Sequence, residues 1–250
     1  PKITKKIGDN TLKNDPNGYL NTDFTLTELN TVLHNMETNK ATGWDDIPNE
    51  ALKNASIPFQ KELLELINKV KHEKTLPTGW NSGTMILIYK QKGAIEDLVN
   101  HRPLTINISF YSAYTKLTNL RLTAVAEAHN LLGEIQGGFR KNRGSSDNHF
   151  ILNTILNKVA SKKKKVFLTF VDLNKAYDSV NRDILWKKME KLGFSKDFID
   201  SIRLLYHNDN INLTNMGLKT NKMYIRKGVR QGCSLSPMLF AIYISDLGES

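Results

Sequence analysis

A chain of 250 residues is long enough for one large domain or two small ones, and 40% hydrophobic residues suffice for a packed core. Thirty-five Lys and Arg against 25 Asp and Glu leave a net charge of +10, which favours a polyanionic partner, nucleic acid ahead of a membrane surface, over a merely basic solvated exterior. The single cysteine, Cys233, excludes an internal disulfide framework and points to a reducing compartment; no apolar run approaches the roughly 20 residues of a membrane helix, and no signal-peptide core opens the chain.

The first residue is Pro1 rather than Met, and Ser250 follows directly on a helical pattern, so the sequence reads as a fragment. Residues 1–22 are polar, with Pro16, Asn17 and Gly18 as turn formers, and are expected to form a loose lead-in. Thr25-Leu-Thr-Glu28 fits a capping box, and Leu26, Leu29, Val32, Leu33 and Met36 fall on one helical face. The stretch NKATGWDDIPNE over 39–50 breaks that pattern with Gly43 and Pro48. An amphipathic helix is expected from about Pro58, with Phe59, Leu63, Leu64, Ile67 and Val70 inward, ending before Pro77.

TMILIY over 84–89 is a strand candidate, and HRPLTI over 101–106 a second extended piece, since Pro103 argues against helix. Together they predict a β-ribbon with cations at its tip, from Lys90 and Lys92. A helix should follow over roughly 109–129. The glycine-rich, basic IQGGFRKNRGSSDN over 135–148 suits a loop that hugs phosphates, and Ser145, Ser146 or Asp147 can cap the next helix. That helix carries Ile151, Leu152, Ile155, Leu156 and Val159 on one stripe and ends in Lys162–Lys165, a block that suits a helix C-terminus and reads best as a solvated turn.

The stretch FLTFVDLNKAYDSVNR follows at 167–182. The apolar, β-branched run 166–171 reads as a buried strand ending in Asp172, a carboxylate at a strand's carboxyl end where α/β layers gather ligands. Taken alone, such an Asp is more often bland than catalytic. Ile184, Leu185, Met189 and Leu192 mark a helix stopped by Gly193; Phe198, Ile199, Ile202 and Leu205 mark another capped by Ser195. Lys219–Lys222 has the look of a hairpin turn between two strands. GVRQGCSLSP over 228–237 is a tight loop whose Pro237 enters a last helix carrying Leu239, Phe240, Ile242, Tyr243 and Leu247.

Six of these blocks, in order, carry a family resemblance: NKATGWDDIPNE, the strand and turn over 86–92, NHRPLTI, GGFRKNRGSSDN, FVDLNKAYDSVNR and GVRQGCSLSP. From about residue 37 to 250 the chain resembles the reverse transcriptase domain of non-LTR (LINE-like) retrotransposons. The resemblance implies an α+β right-hand polymerase: a lead-in and first helix over 1–36, mainly fingers over 37–165, and over 166–250 the first part of an antiparallel-sheet palm interleaved with fingers segments. It implies RNA-directed DNA polymerisation, in which a DNA primer's 3′-hydroxyl attacks a dNTP on an RNA template. Two Mg²⁺ ions roughly 3.5–4 Å apart would activate the hydroxyl and hold the departing charge.

By the same resemblance Asp172 is the first catalytic aspartate, and Asp172 with the Leu173 carbonyl are metal ligands. Lys90 and Arg102 match cations that hold the triphosphate, with Lys92 an alternative to Lys90. Tyr177 matches the aromatic residue under the incoming sugar, where most relatives carry Phe; a core ring is the lesser alternative. Gln231 and Gly232 match the segment against the nascent base pair, a loop that could otherwise be a plain helix entry. Arg140, Lys141 and Arg143 match template contacts, with Phe139 packing beside them. Asp178 is expected to order its turn by hydrogen bonds.

The sequence also departs from the family. GWDD stands at 43–46 where relatives often read GPDG, and NHRPLTI replaces NYRPISL while keeping Arg102 and Pro103. The aromatic-x-Asp-Asp hairpin with the remaining catalytic pair occurs nowhere in these residues, and Asp246 lies on the predicted last helix. The 250 residues by themselves are therefore expected to bind nucleic acid without extending a primer. A decayed, binding-only copy and an unrelated basic structural domain are the competing readings. The resemblance further implies residence in nucleus and cytoplasm as a ribonucleoprotein, no membrane association and an undetermined oligomeric state. The geometric expectation is that Asp172 projects into a positively lined trough close to Arg102 and Gln231.

Overall fold

The computed structural model describes Leu12, residues 18–215 and residues 218–247, so the expected lead-in lies largely outside the described residues. Helix α1, Leu26–His34, starts as its capping box dictates: Thr25 Oγ1 accepts from Glu28 N, and the Glu28 carboxylate accepts from Thr25 N. A short α2, Asn49–Lys53, follows Pro48 inside the stretch read as pattern-breaking, and α3 spans Ile57–Glu73. Leu63, Ile67 and Val70 of α3 are buried as expected, but Phe59 in its first turn is exposed.

The expected β-ribbon forms. Strands β1, Ser82–Tyr89, and β2, His101–Ile106, pair antiparallel, with Ile88 opposite Arg102 and Leu87 opposite Pro103. Proline is tolerated there because β2 is an edge strand. On its other side β1 pairs in parallel with β3, Asn210–Asn215. Two short pieces, β4 (Leu218–Lys219) and β5 (Met223–Tyr224), both run antiparallel to β3. Both pieces thus lie along the same side of the register with β3, and 219–222 is a break between two in-line pieces rather than the hairpin turn the sequence suggested.

Helices α4 (Ser109–Ala128) and α5 (Ser145–Ser161) match their expected spans. Asp147 caps α5, its carboxylate accepting from Gly144 N at 2.8 Å. Both helices end in Schellman motifs, with Asn130 and Lys163 in the left-handed region; the lysine block does terminate α5. After a short α6 (Ala176–Ser179), α7 (Arg182–Lys191) ends in the same motif at Gly193, where φ is +91°. Helix α8 (Lys196–Arg203) is capped by Ser195, and α9 (Ser236–Tyr243) carries Pro237 in its first turn. Helix α9 stops at Tyr243, so Asp246 and Leu247 lie in the turns beyond it rather than on the helix. Asp246 is bound there by Lys188.

One apolar core joins α1, α3 and α4 to α7, α8 and α9. Inside it Arg121 is almost fully buried; it grips Glu28 with two hydrogen bonds and donates to the carbonyls of Tyr19, Thr22 and Asp23. Charge pairing and five N–H donors make such a burial tolerable.

The expected central strand is the main departure. Residues 164–173 form no strand, and Phe167 and Phe170 are 92% and 82% exposed. The run has strand-forming composition, and no left-handed residue interrupts it between Lys163 and Lys175, but among the described residues no neighbouring strand pairs with it. An unpaired strand cannot satisfy its backbone or bury a face, so composition alone does not produce sheet. The apolar stripe of α5 likewise contains no fully buried residue.

Candidate functional site

The site is organised by the loop before α9. Gly228 N donates to Val180 O and Val229 N to Tyr177 O, both at 2.9 Å, clamping the loop to the turn that follows Asp172. On its other side Thr105 N, on the free edge of β2, donates to Gln231 O at 2.9 Å. Gln231 Nε2 also reaches Asp178 Oδ1 at 3.5 Å. The glycines make these approaches possible: Gly228 has φ +86°, and a Cβ there would lie 2.9 Å from Asp178 Cα; at Gly232, φ +100°, a Cβ would collide with the Thr105 carbonyl. Pro103, Thr105, Asp178 and Gln231 thus line one small cleft.

A buried ionic knot locks this junction. Asp209, with its side chain 1% exposed, pairs with Arg182 at 2.8 Å and with Arg230. Arg230 also donates to Asn81 O and Asn107 Oδ1, and Arg182 to Gly228 O and Ile225 O. Arg182 ends the Asp172 stretch and Arg230 belongs to GVRQG, so the knot ties both motifs to the start of β1. Sequence reasoning quoted both motifs without singling out these arginines. Asp209 sits in the polar HNDN and gives no periodic signal of its burial.

The other candidates divide. Arg102 and Lys92 are exposed, without a hydrogen-bond or ion-pair partner among the described residues, and Lys90 donates to Val99 O at 2.8 Å. Tyr177 is half-buried, its ring 5.4 Å from that of Phe240 and 6.2 Å from that of Phe139, and burial raises its phenol pKa. Phe139 packs on Tyr177 as expected, although its other face is open.

Of the three basic residues expected to face a template, only Lys141 is exposed without a hydrogen-bond or ion-pair partner among the described residues. Arg140 is buried: it binds both oxygens of Glu127 and the carbonyl of Gly133. Its hydrogen bonds hold the Glu127 carboxyl below its ordinary pKa. Arg143 binds the Glu134 carboxylate at 2.6 Å and its carbonyl at 3.0 Å. Arg140 staples the loop to the last turn of α4 and Arg143 closes the loop on itself at Glu134, so neither guanidinium is free in the way expected of a template contact.

The placement expected of Asp172, in a trough close to Arg102 and Gln231, is not found. Asp172 stands exposed in the 164–173 segment, and among the described residues no hydrogen bond or ion pair reaches it and no cation-lined trough encloses it. The segment's link to the loop begins only at Tyr177. Among the described residues no group of three or more His, Cys, Asp or Glu could hold a metal ion. One carboxylate and the neighbouring Leu173 carbonyl are a partial set for an octahedral cation, so the described residues alone do not fit a held pair of ions.

The reverse transcriptase (RNA-dependent DNA polymerase) family matches residues 88–250. Among curated proteins the chain is similar to the Retrovirus-related Pol polyprotein from type-1 retrotransposable element R2 of Popillia japonica. Identity is 26% over 208 residues, covering 83% of this chain and 28% of that protein. It is 25% identical over 224 residues to the RNA-directed DNA polymerase from mobile element jockey of Drosophila melanogaster, covering 89% and 24%. It is 26% identical over 239 residues to the probable RNA-directed DNA polymerase from transposon X-element of the same fly, covering 91% and 25%. The chain spans about a quarter of the length of these curated relatives. With the motif order and the junction of β2, the Asp172 stretch and GVRQG, this match shows that the chain belongs to the reverse transcriptase family, as a domain of the non-LTR retrotransposon kind.

Proposed function

We propose that this chain supplies the fingers and the first palm segment of an RNA-directed DNA polymerase that extends a DNA primer with dNTPs on an RNA template. The observation that carries the reading is the hydrogen-bonded junction at Gln231: one loop touches the Arg102-bearing strand on one side and the Tyr177–Asp178 turn on the other. Three motifs distant in sequence meet where a nucleotide would have to be held. Free Arg102 grips triphosphate oxygens bidentately, and Lys90 adds a point charge with two of its three donors unused. Gly232 lets the backbone lie flat against a nascent base pair, and the half-buried Tyr177 ring restricts the sugar edge. Lys141 contacts template phosphate.

In this reading the fingers occupy mainly 37–165 and the palm begins at 166. Divalent-metal dependence goes with the family, and we assign Mg²⁺, with Asp172 its first ligand and the Leu173 carbonyl its second. One such ligand pair does not hold two ions, so these 250 residues taken alone bind substrate without chemistry.

The test is fluorescence anisotropy with a labelled RNA template annealed to a DNA primer. Arg102→Ala is expected to weaken dNTP-dependent retention of the primed template at least fivefold without altering the melting temperature. Primer extension by the 250-residue chain should not exceed that of its Asp172→Ala variant. Unchanged retention in Arg102→Ala would sink the assignment of the cleft.

A further inference from the structure

One face of the molecule carries a furrow that the motif reading leaves unused. Two abutting depressions, of about 610 and 630 Å³, share Lys74, Leu204 and His207, so their floor is continuous from the start of α7 to the open edge of β5. Six cations line it, Lys74, Arg182, Arg203, Lys222, Arg226 and Lys227, against the carboxylates of Asp183 and Asp200. Three of the cations are committed: Lys74 to Asp197 at 2.9 Å, Arg203 to Asp200 at 3.5 Å and Arg182 to buried Asp209. Lys222, Arg226 and Lys227 are exposed and have no hydrogen-bond or ion-pair partner among the described residues.

These three stand on a fixed backbone. Tyr224 pairs with Asn210 in β3, Ile225 N donates to Asp209 O at 2.8 Å, and Gly228 N to Val180 O at 2.9 Å. The Tyr224 ring, 64% exposed, lies among them as an open flat face. Unpaired cations flanking a short paired strand, beside an exposed aromatic ring, are the elements of a single-strand track: the charges displace counterions from phosphates and the ring stacks an unpaired base. Lys227 also lines the cleft of Asp178 and Gln231, so this one side chain borders both the furrow and the proposed nucleotide site.

We propose that this furrow carries a single strand of RNA, the unpaired arm of the template, to the Gln231 cleft by way of Lys227. The inference rests on the polymerase reading and adds the path of the strand beyond the paired region.

The experiment compares two triple variants that change the net charge equally. K222E/R226E/K227E empties the furrow of its free cations; K61E/K158E/K191E alters α3, α5 and α7 elsewhere. Anisotropy is read with a labelled unpaired RNA 20-mer over a salt series, thermal melting confirming the fold of each. The furrow triple should bind at least tenfold more weakly, and its log-affinity against log-salt slope should flatten by about 2, near 0.7 per lost phosphate contact. The control triple should stay within about threefold of the parent in affinity, with its slope unchanged. Tyr224→Ala should weaken binding about fivefold or more with the slope unchanged, as loss of stacking does.

Equal losses in the two triples would overturn the proposal by reducing it to net charge. So would an equal loss on a blunt duplex of the same length, which would make the furrow a duplex surface. If Arg102→Ala weakens dNTP-dependent retention while the furrow triple leaves single-strand binding intact, the track fails and the polymerase reading stands. If the furrow triple acts as predicted while Arg102→Ala does nothing, the cleft assignment fails instead.

Discussion

Removing the buried carboxylate of Asp209 should destabilise the fold more than most surface-charge losses, and the size follows from its partners. Asp209→Ala leaves Arg182 and Arg230 without their countercharge in an interior from which both are largely withdrawn. Breaking one partner of a buried ion pair costs about 3–5 kcal/mol. Two guanidiniums are stranded here, but each retains oxygen acceptors, Asn81 O and Asn107 Oδ1 for Arg230, Gly228 O and Ile225 O for Arg182. These offset part of the loss, giving about 4 kcal/mol for Asp209→Ala and roughly half for Asp209→Asn, which keeps an acceptor. Against a typical domain stability of about 5–15 kcal/mol, that is a large fraction. Urea unfolding at pH 7 measures it, and amide exchange should show Val229 losing protection before α4 does. A loss under about 1 kcal/mol for Asp209→Ala would refute the claim that the knot holds the loop in place.

The correction at 140–143 makes its own forecast. Arg140→Ala should lose about 2–3 kcal/mol of stability and expose the 133–144 loop to proteolysis, whereas Lys141→Ala should change stability by under about 0.5 kcal/mol and weaken RNA binding. Gly228→Ala has to fit a Cβ 2.9 Å from Asp178 Cα at φ +86°, so it should cost at least about 2 kcal/mol and loosen the Tyr177 turn, visible as faster exchange at Val180. The Glu28 carboxyl is held at about 2: desolvation pushes it up, but the hydrogen bonds from Arg121 and Thr25 outweigh that. A depressed carboxyl stabilises the fold above its unfolded value of about 4.5, and the benefit is lost as pH falls towards 2. Unfolding free energy should therefore drop by on the order of 2–3 kcal/mol across that window, and Glu28→Gln should flatten the dependence.

What could be read from residue order was whatever local physics decides. The capping box at Thr25, the stop at Gly193, Pro237 at a helix entry and the β1–β2 ribbon all form where short-range rules put them, because caps, left-handed glycines and proline act within a few residues. The 166–171 run shows the limit: its composition is that of a strand, but a strand exists only with a neighbour, and none pairs with it among the described residues. Arg140 and Arg143 show another. A basic loop reads as phosphate-binding until Glu127 and Glu134 prove to be within reach, and that is settled by tertiary placement. Asp209 was invisible for the same reason, since its partners lie 27 and 21 residues away on different elements. The meeting of Thr105, Gln231 and Tyr177 was foreseeable only through the family resemblance, as no periodicity connects them.

The central claim, that β2, the turn after Asp172 and the GVRQG loop form one nucleotide-facing cleft, is tested most directly by photocrosslinking. A primed RNA template carrying 4-thiouridine at the first unpaired templating position is irradiated with the chain, and the adducts are mapped by mass spectrometry. The account predicts adducts within 101–106, 174–180 and 228–233. Adducts confined to α1 and α3, with none in those three stretches, would contradict it.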